Sequence, residues 1–184
     1  MKRLCVGCGY ERFPDRETWM TVDLDPDTGC DVIADVRHLG MLEAEHFDEI
    51  RAVDILEHLS YRDVPEAVKG WARLLKPGGR LFIQVPAADL IMRMFVSGDE
   101  WGALRRGLPG DLIDAPLMVQ TAWRLLGGHL DGDYTRNDDR WYLNAHHALF
   151  DGPTLWRVAQ YAGLDVESID INPHPNYQVW MRKP

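Results

Sequence analysis

The stretch Arg3-Leu4-Cys5-Val6-Gly7-Cys8-Gly9-Tyr10, with Thr21-Val22-Asp23-Leu24-Asp25 soon after it, constrains this chain most. A short apolar run ends in Gly-x-Gly, and a second apolar run ends in a carboxylate. The first reads as the tip of a parallel strand and a turn at which a ligand meets bare backbone. Glycine supplies both the positive φ and the missing Cβ that such an approach needs. The carboxylate on the next strand can accept two hydrogen bonds from a ribose diol. Together they imply a nucleoside-containing ligand lying across the strand ends of an open α/β sheet. A lone Gly-x-Gly also occurs in ordinary tight turns.

Spacing narrows the ligand. A dinucleotide fingerprint has a third glycine, with the acid about 20 residues further on. Counting from Gly7 and Gly9, the third position holds Arg12, and Asp23 follows Gly7 by 16 residues. Without that glycine a helix cannot pack closely on the strand and aim its N-terminus at a pyrophosphate. A cofactor without phosphates fits better.

Later segments extend the pattern. Asp31-Val32-Ile33-Ala34-Asp35-Val36 is a short strand ending in an acid. Phe47-Asp48-Glu49-Ile50-Arg51-Ala52-Val53-Asp54 is another, followed by Ile55-Leu56-Glu57-His58-Leu59. Leu74-Leu75-Lys76-Pro77-Gly78-Gly79-Arg80-Leu81-Phe82-Ile83-Gln84-Val85-Pro86 closes a helix, turns and starts a strand. This ordered set resembles class I S-adenosylmethionine-dependent methyltransferases of the type 11-like kind. Within them it is similar to a small group reading Gly-Cys-Gly, Pro, then Trp-x-x-Val-Asp-x-Asp-Pro. Those residues are here Gly7-Cys8-Gly9, Pro14 and Trp19-Met20-Thr21-Val22-Asp23-Leu24-Asp25-Pro26. The resemblance covers residues 1–86 closely and resumes at 146–163.

The resemblance implies S-adenosyl-L-methionine as cofactor and the strand order 3-2-1-4-5-7-6, with strand 7 antiparallel. Gly7, Cys8 and Gly9 should flank the methionyl end. Asp23, beside Leu24, should hold the ribose hydroxyls, with Asp25 as the alternative or as a residue shaping the turn before Pro26. Asp35 with Val36 should meet the adenine, unless Asp35 caps a helix. Asp54, Ile55 and Leu56 should line the other side. One departure stands out: only nine residues, Tyr10 to Thr18, separate the Gly-Cys-Gly from the second strand. A helix averages about 11–12 residues, so the first helix must be reduced to a turn. Pro14 and Asp15 favour one.

A single domain spanning 1–184 is expected, long enough for one core. No apolar run reaches the roughly 20 residues of a membrane span, and the start lacks a signal-peptide core, so the expectation is cytoplasmic, with no membrane partner. The net charge of −9 argues against nonspecific nucleic-acid binding. Arg93, Arg105 and Arg106 could make a local basic patch or lie scattered on the surface. A homo-oligomer is allowed. Cys5 and Cys8 form a Cys-x-x-Cys, but no second cysteine pair completes a zinc site, so an inert role is expected and no metal.

Strands are expected near 3–6, 20–24, 31–34, 48–53, 80–85, 165–171 and 177–182. Helices are expected near 38–45, 64–75, 116–126 and 153–162. Pro65 suits a first helical turn, and Asp151 can cap the helix entered at Gly152-Pro153. Alternating strands and connectors imply a mainly parallel sheet, closed by a hairpin through Asn172-Pro173-His174-Pro175-Asn176.

Residues 87–145 exceed what the sheet needs. Connections longer than about 12–15 residues are usually functional or disordered. This one carries Trp101, Trp123, Tyr134, Trp141 and Tyr142, as a lid or acceptor pocket or as anchors to the core. Gly127-Gly128-His129-Leu130-Asp131-Gly132-Asp133 looks like its loop.

Methyl transfer is an in-line displacement from a sulfonium, so positioning dominates, and a base is needed only if the acceptor must lose a proton early. Candidates are His146, aligned with the family's His before Phe-Asp, then His58 and Tyr142, with His147 beside them; each histidine could equally be a packing residue. The acceptor expected by resemblance is a small molecule, a sugar or other metabolite, methylated on O or N. The alternatives are a non-catalytic S-adenosylmethionine-binding or partner subunit, and a nicotinamide oxidoreductase. The missing third glycine and the lack of a Tyr-x-x-x-Lys pair speak against the last. The strand-4 exit reads Asp54-Ile55-Leu56-Glu57, not the (Asp/Asn)-Pro-Pro-aromatic motif of base amino-methylases.

Overall fold

Seven strands form one sheet in the order β3-β2-β1-β4-β5-β7-β6. The computed structural model describes residues 1–9, 17–98, 114, 116–127 and 145–184. The strands are β1 Arg3–Val6, β2 Trp19–Asp23, β3 Val32–Ile33, β4 Phe47–Val53, β5 Leu75–Pro86, β6 Asp165–Ile171 and β7 Asn176–Arg182. The first five pair in parallel, and β7 runs antiparallel to both β5 and β6. The expected order and the reversed last strand are thus observed. Residues 10–16, where the reduced first helix is expected, fall outside the described part together with Pro14.

Helices α1 Val64–Leu74, α2 Ala88–Ser97, α3 Leu117–Ala122 and α4 Gly152–Tyr161 complete the framework, and α3 continues as a π-helical turn, Trp123–Gly127. Proline sits in the first turn of α1 and of α4. The Asp151 carboxylate accepts from the Thr154 N–H at 2.8 Å, satisfying one orphan donor of α4.

Two expectations are corrected. Residues 38–45 form turns, not a helix. A segment that short gains little from helix cooperativity, and the Arg73 guanidinium takes the carbonyls of Leu39 and Leu42 at 3.1 and 2.9 Å. Glu45 also sits at φ 52°, which a right-handed helix excludes. Conversely, α2 follows β5 at once inside the presumed insertion. Its Asp89 accepts from the Tyr177 hydroxyl at 2.9 Å, tying it to β7.

Among the described residues, one face of the sheet carries the main core and the other a small buried cluster of Cys5, Cys8 and Trp19. Leu4, Val6, Ile50, Ala52, Leu81, Ile83, Val85, Val179 and Met181 join Trp71 of α1 and Leu155 of α4 in one core. The alternate residues carry charge and rings: Arg3 and Arg51 lie 5.4 and 5.3 Å from the Trp19 ring, and Phe82 lies 4.9 Å from Trp180. Parallel strands covered on both faces read as continuous apolar runs, whereas alternation marks a half-covered sheet. This places the chain's chemistry-bearing residues at the strand tips rather than between layers.

Candidate active site

The β1 strand ends in a turn whose glycines do different work. Gly7 has φ 67°, and a Cβ there would lie 2.3 Å from Ile55 Cγ1. Only glycine lets the β4 exit pack against β1. Gly9 has φ 51°, and no described residue lies within 4 Å of where its Cβ would stand. Cys5 and Cys8 are joined in a disulfide across this turn, with Cα atoms 5.8 Å apart. That revises the expectation of inert, separate cysteines.

Asp23, at the tip of β2, accepts from Gly9 N at 2.7 Å through Oδ2 and from Asp25 N at 2.9 Å through Oδ1. A carboxylate has about four acceptor positions, so two remain for a diol. Asp25 accepts from Asp27 N at 2.9 Å and caps a 3-10 turn, Pro26–Thr28. Leu24 is exposed beside it. Asp35 is gripped by its neighbour: Arg37 Nε and Nη2 donate to it, with the nearest contact 2.6 Å. That side-chain hydrogen bond holds the Asp35 carboxyl below its ordinary range against the opposing effect of burial. It caps no helix, and an adenine amine would share it with Arg37. Val36 is nearly buried, and its carbonyl accepts from Trp71 Nε1 at 2.8 Å.

The β4 exit bends sharply. Asp54 sits at φ 49°, and its carboxylate accepts from Gln84 Nε2 of β5 at 3.1 and 3.2 Å. Ile55 packs on Gly7. Leu56 has no exposed surface and belongs to the core, because the chain turns inward after Ile55 into a 3-10 turn, Leu56–His58.

That turn brings distant residues together. His147 N and Ala148 N donate to the Glu57 carbonyl at 2.7 and 3.1 Å, pinning segment 145–150 against it. His58 Nδ1 lies 3.4 Å from the Ala145 carbonyl. A carbonyl only accepts, so Nδ1 is the donor wherever this contact forms a hydrogen bond. The His58 and His146 rings meet edge to face, 5.0 Å between centroids. The Glu57 side chain is buried beside them, and its Oε2 makes no hydrogen bond among the described residues. Burial pushes the Glu57 carboxyl well above the usual range, and the charge of Asp54 adds to this. Sequence reasoning missed Glu57, although an acid inside the apolar run Ile55-Leu56-Glu57-His58-Leu59 is the signal that could have found it. Tyr142, Trp101, Tyr134 and Trp141 lie outside the described residues, as do Arg105, Arg106 and the 128–133 loop.

The sheet order, its one reversed neighbour and the Gly-x-Gly turn define the class I methyltransferase architecture. The methyltransferase-domain family profile matches residues 2–169. The chain belongs to that family, and is an enzyme of the class that uses S-adenosyl-L-methionine as methyl donor. A protein from Pyrococcus horikoshii OT3 shares the fold at 13% identity and TM-score 0.62, over 100% of this chain and 82% of that one. The 1,6-didemethyltoxoflavin-N1-methyltransferase of Burkholderia thailandensis, solved with its substrate and S-adenosylhomocysteine, aligns at 17% identity and TM-score 0.59 over 98% and 70%. A SAM-dependent methyltransferase of Methanosarcina mazei aligns at 12% identity and TM-score 0.60 over 99% and 92%. No curated protein matches the sequence. Among the described residues, no helix is long and apolar enough to cross a membrane.

Proposed function

We propose that this chain moves a methyl group from S-adenosyl-L-methionine to an oxygen or nitrogen of a small-molecule acceptor. The observation that carries this reading is the convergence of two features on adjacent strand tips. One is the Gly7–Gly9 turn with Asp23. The other is the His58–His146 pair beside Glu57, linked to the turn through Ile55 packed on Gly7. The spare acceptor positions of Asp23 fit a nucleoside cofactor. Gly7 and Gly9 would present backbone to its methionyl end, Asp23 would accept from its ribose, and Val36 and Ile55 would border its base.

When bound, the cofactor supplies an electrophilic methyl on a sulfonium, whose departure leaves a neutral thioether. The protein's own contribution is chiefly alignment, drawn from the roughly 7–11 kcal/mol available from pre-paid entropy. His58 Nε2 or His146 would accept a proton where the acceptor must lose one. Residues 87–145 would close over the acceptor, with α2 and α3 as the framework of that cover. A small-molecule acceptor accords with the Burkholderia thailandensis structure, which holds 1,6-didemethyltoxoflavin.

The test is a panel of hydroxyl- and amine-bearing metabolites with methyl-labelled cofactor. Transfer to at least one acceptor, lowered in His146→Ala more than cofactor affinity is, supports the reading. Tight cofactor binding with no transfer to any acceptor points instead to a partner subunit.

A further inference from the structure

The Glu57, His58 and His146 side chains have a use that alignment and proton transfer leave unexplained. One donor atom from each lies within 4.8 Å of the other two. The carboxylate is buried, and its Oε2 has no hydrogen-bond partner among the described residues. A buried acceptor left without a donor is costly unless something positive meets it. The surrounding backbone holds the group in place. His147 N and Ala148 N fasten segment 145–150 to the Glu57 carbonyl, and the Ala145 carbonyl lies 3.4 Å from His58 Nδ1. Metal-binding histidines commonly give one ring N–H to a backbone carbonyl, which orients the other nitrogen towards the metal.

We propose that Glu57, His58 and His146 form a binding site for one first-row divalent cation, with coordination positions left open towards the acceptor. Two imidazoles and one carboxylate are a donor set suited to Zn²⁺, Mn²⁺ or Fe²⁺ rather than to Mg²⁺ or Ca²⁺. Bonds of about 2.0–2.2 Å put donors roughly 3–4 Å apart, so small side-chain rotations close the cluster. The site lies two residues beyond Ile55, which packs on Gly7, so it borders the cofactor turn.

The consequence for the substrate rests on the methyl-transfer reading above. An open cation site selects an acceptor with an oxygen ligand: a hydroxyl, enol or phenol. Cation binding acidifies that O–H, which gives its proton to water. The oxygen lone pair then forms the new bond to the methyl carbon, and the carbon–sulfur pair leaves with sulfur. With the cation bound, the imidazoles coordinate it and the proton goes to water; the base role given to His58 or His146 above applies to the cation-free site.

The experiment uses chelator-treated full-length protein titrated with Co²⁺ and Zn²⁺, following cobalt visible absorption and calorimetric heat. S-adenosylhomocysteine is titrated into the same sample separately. One cation per chain is expected, with affinity falling at least tenfold in Glu57→Gln and in His146→Ala. His174→Ala, in the exposed β6–β7 turn, should bind as the wild type does. Circular dichroism confirms that each variant is folded, and His58→Asn replaces any variant that is not. Absence of one-to-one binding, or binding unchanged in both ligand variants, overturns the cation site. Because the cation is read directly, that result stands whether or not S-adenosylhomocysteine binds. Loss of S-adenosylhomocysteine binding alone would count against the methyltransferase reading instead.

Discussion

Adding one methyl group at Gly7 should cost far more than adding one at Gly9, although both glycines sit in the same turn at positive φ. An L residue in the left-handed region pays about 1–2 kcal/mol, and this applies to both positions. At Gly7 the new Cβ would also meet Ile55 Cγ1 at 2.3 Å, Cδ1 at 2.6 Å and Cβ at 2.8 Å. Cγ1 and Cδ1 can rotate away, but Ile55 Cβ moves only with the backbone, so β4's exit must shift. Overpacking of that kind costs about 1–3 kcal/mol. Gly7→Ala is therefore expected to lose about 2–5 kcal/mol in total, by the sum of those two costs. Gly9→Ala, with no described residue within 4 Å of its Cβ, should lose only the strain. Urea unfolding monitored by tryptophan fluorescence measures both. Adding Ile55→Gly to Gly7→Ala removes that Cβ and should recover much of the clash, giving a non-additive double-mutant cycle. Equal losses at the two glycines, or a strictly additive cycle, would refute the packing of Ile55 on Gly7 and the geometry built on it.

Two further outcomes are expected. Asp151→Ala should cost about 0.5–2 kcal/mol through loss of the α4 cap, and Asp151→Asn much less. The hydrogen bond from Thr154 lowers the Asp151 carboxyl from its ordinary 3.8, so this stabilisation is present above that value and vanishes as pH falls through the lowered one. Thermal unfolding of wild type and Asp151→Ala should therefore converge in strong acid. Trp71→Phe removes the donor to the buried Val36 carbonyl and should cost about 1–3 kcal/mol, read as a lower urea midpoint at unchanged m-value.

The sheet was legible because each strand ends in a signal of its own: Gly7 after β1, Asp23 after β2, Asp54 after β4. The short connectors left little choice of partner. Residues 38–45 look helical in composition, but the decisive donor to their carbonyls is Arg73, which lies over 30 residues away. Helix α2 escaped notice because Ala87 makes no side-chain cap bond, although Gly98 at φ 79° marks its end. The alternation of buried and half-buried residues in β5 was written in Arg80-Leu81-Phe82-Ile83-Gln84-Val85, whose period of two runs against the habit of parallel strands. His58 and His146 could each be named as candidates. Their meeting, with Glu57 beside them, depends on backbone bonds from His147 and Ala148 that no local pattern reveals.

The central claim, that the β1–β2 tips bind an adenosyl cofactor, is tested most directly by calorimetric titration of S-adenosylhomocysteine into wild type and Asp23→Ala. Hydrogen bonds to a charged group contribute about 1.5–3 kcal/mol each. One-site binding to the wild type, at least tenfold weaker in the folded variant, with no heat from NAD, is the predicted result. Binding of NAD but not of S-adenosylhomocysteine, or equal S-adenosylhomocysteine affinity in both proteins, would contradict it.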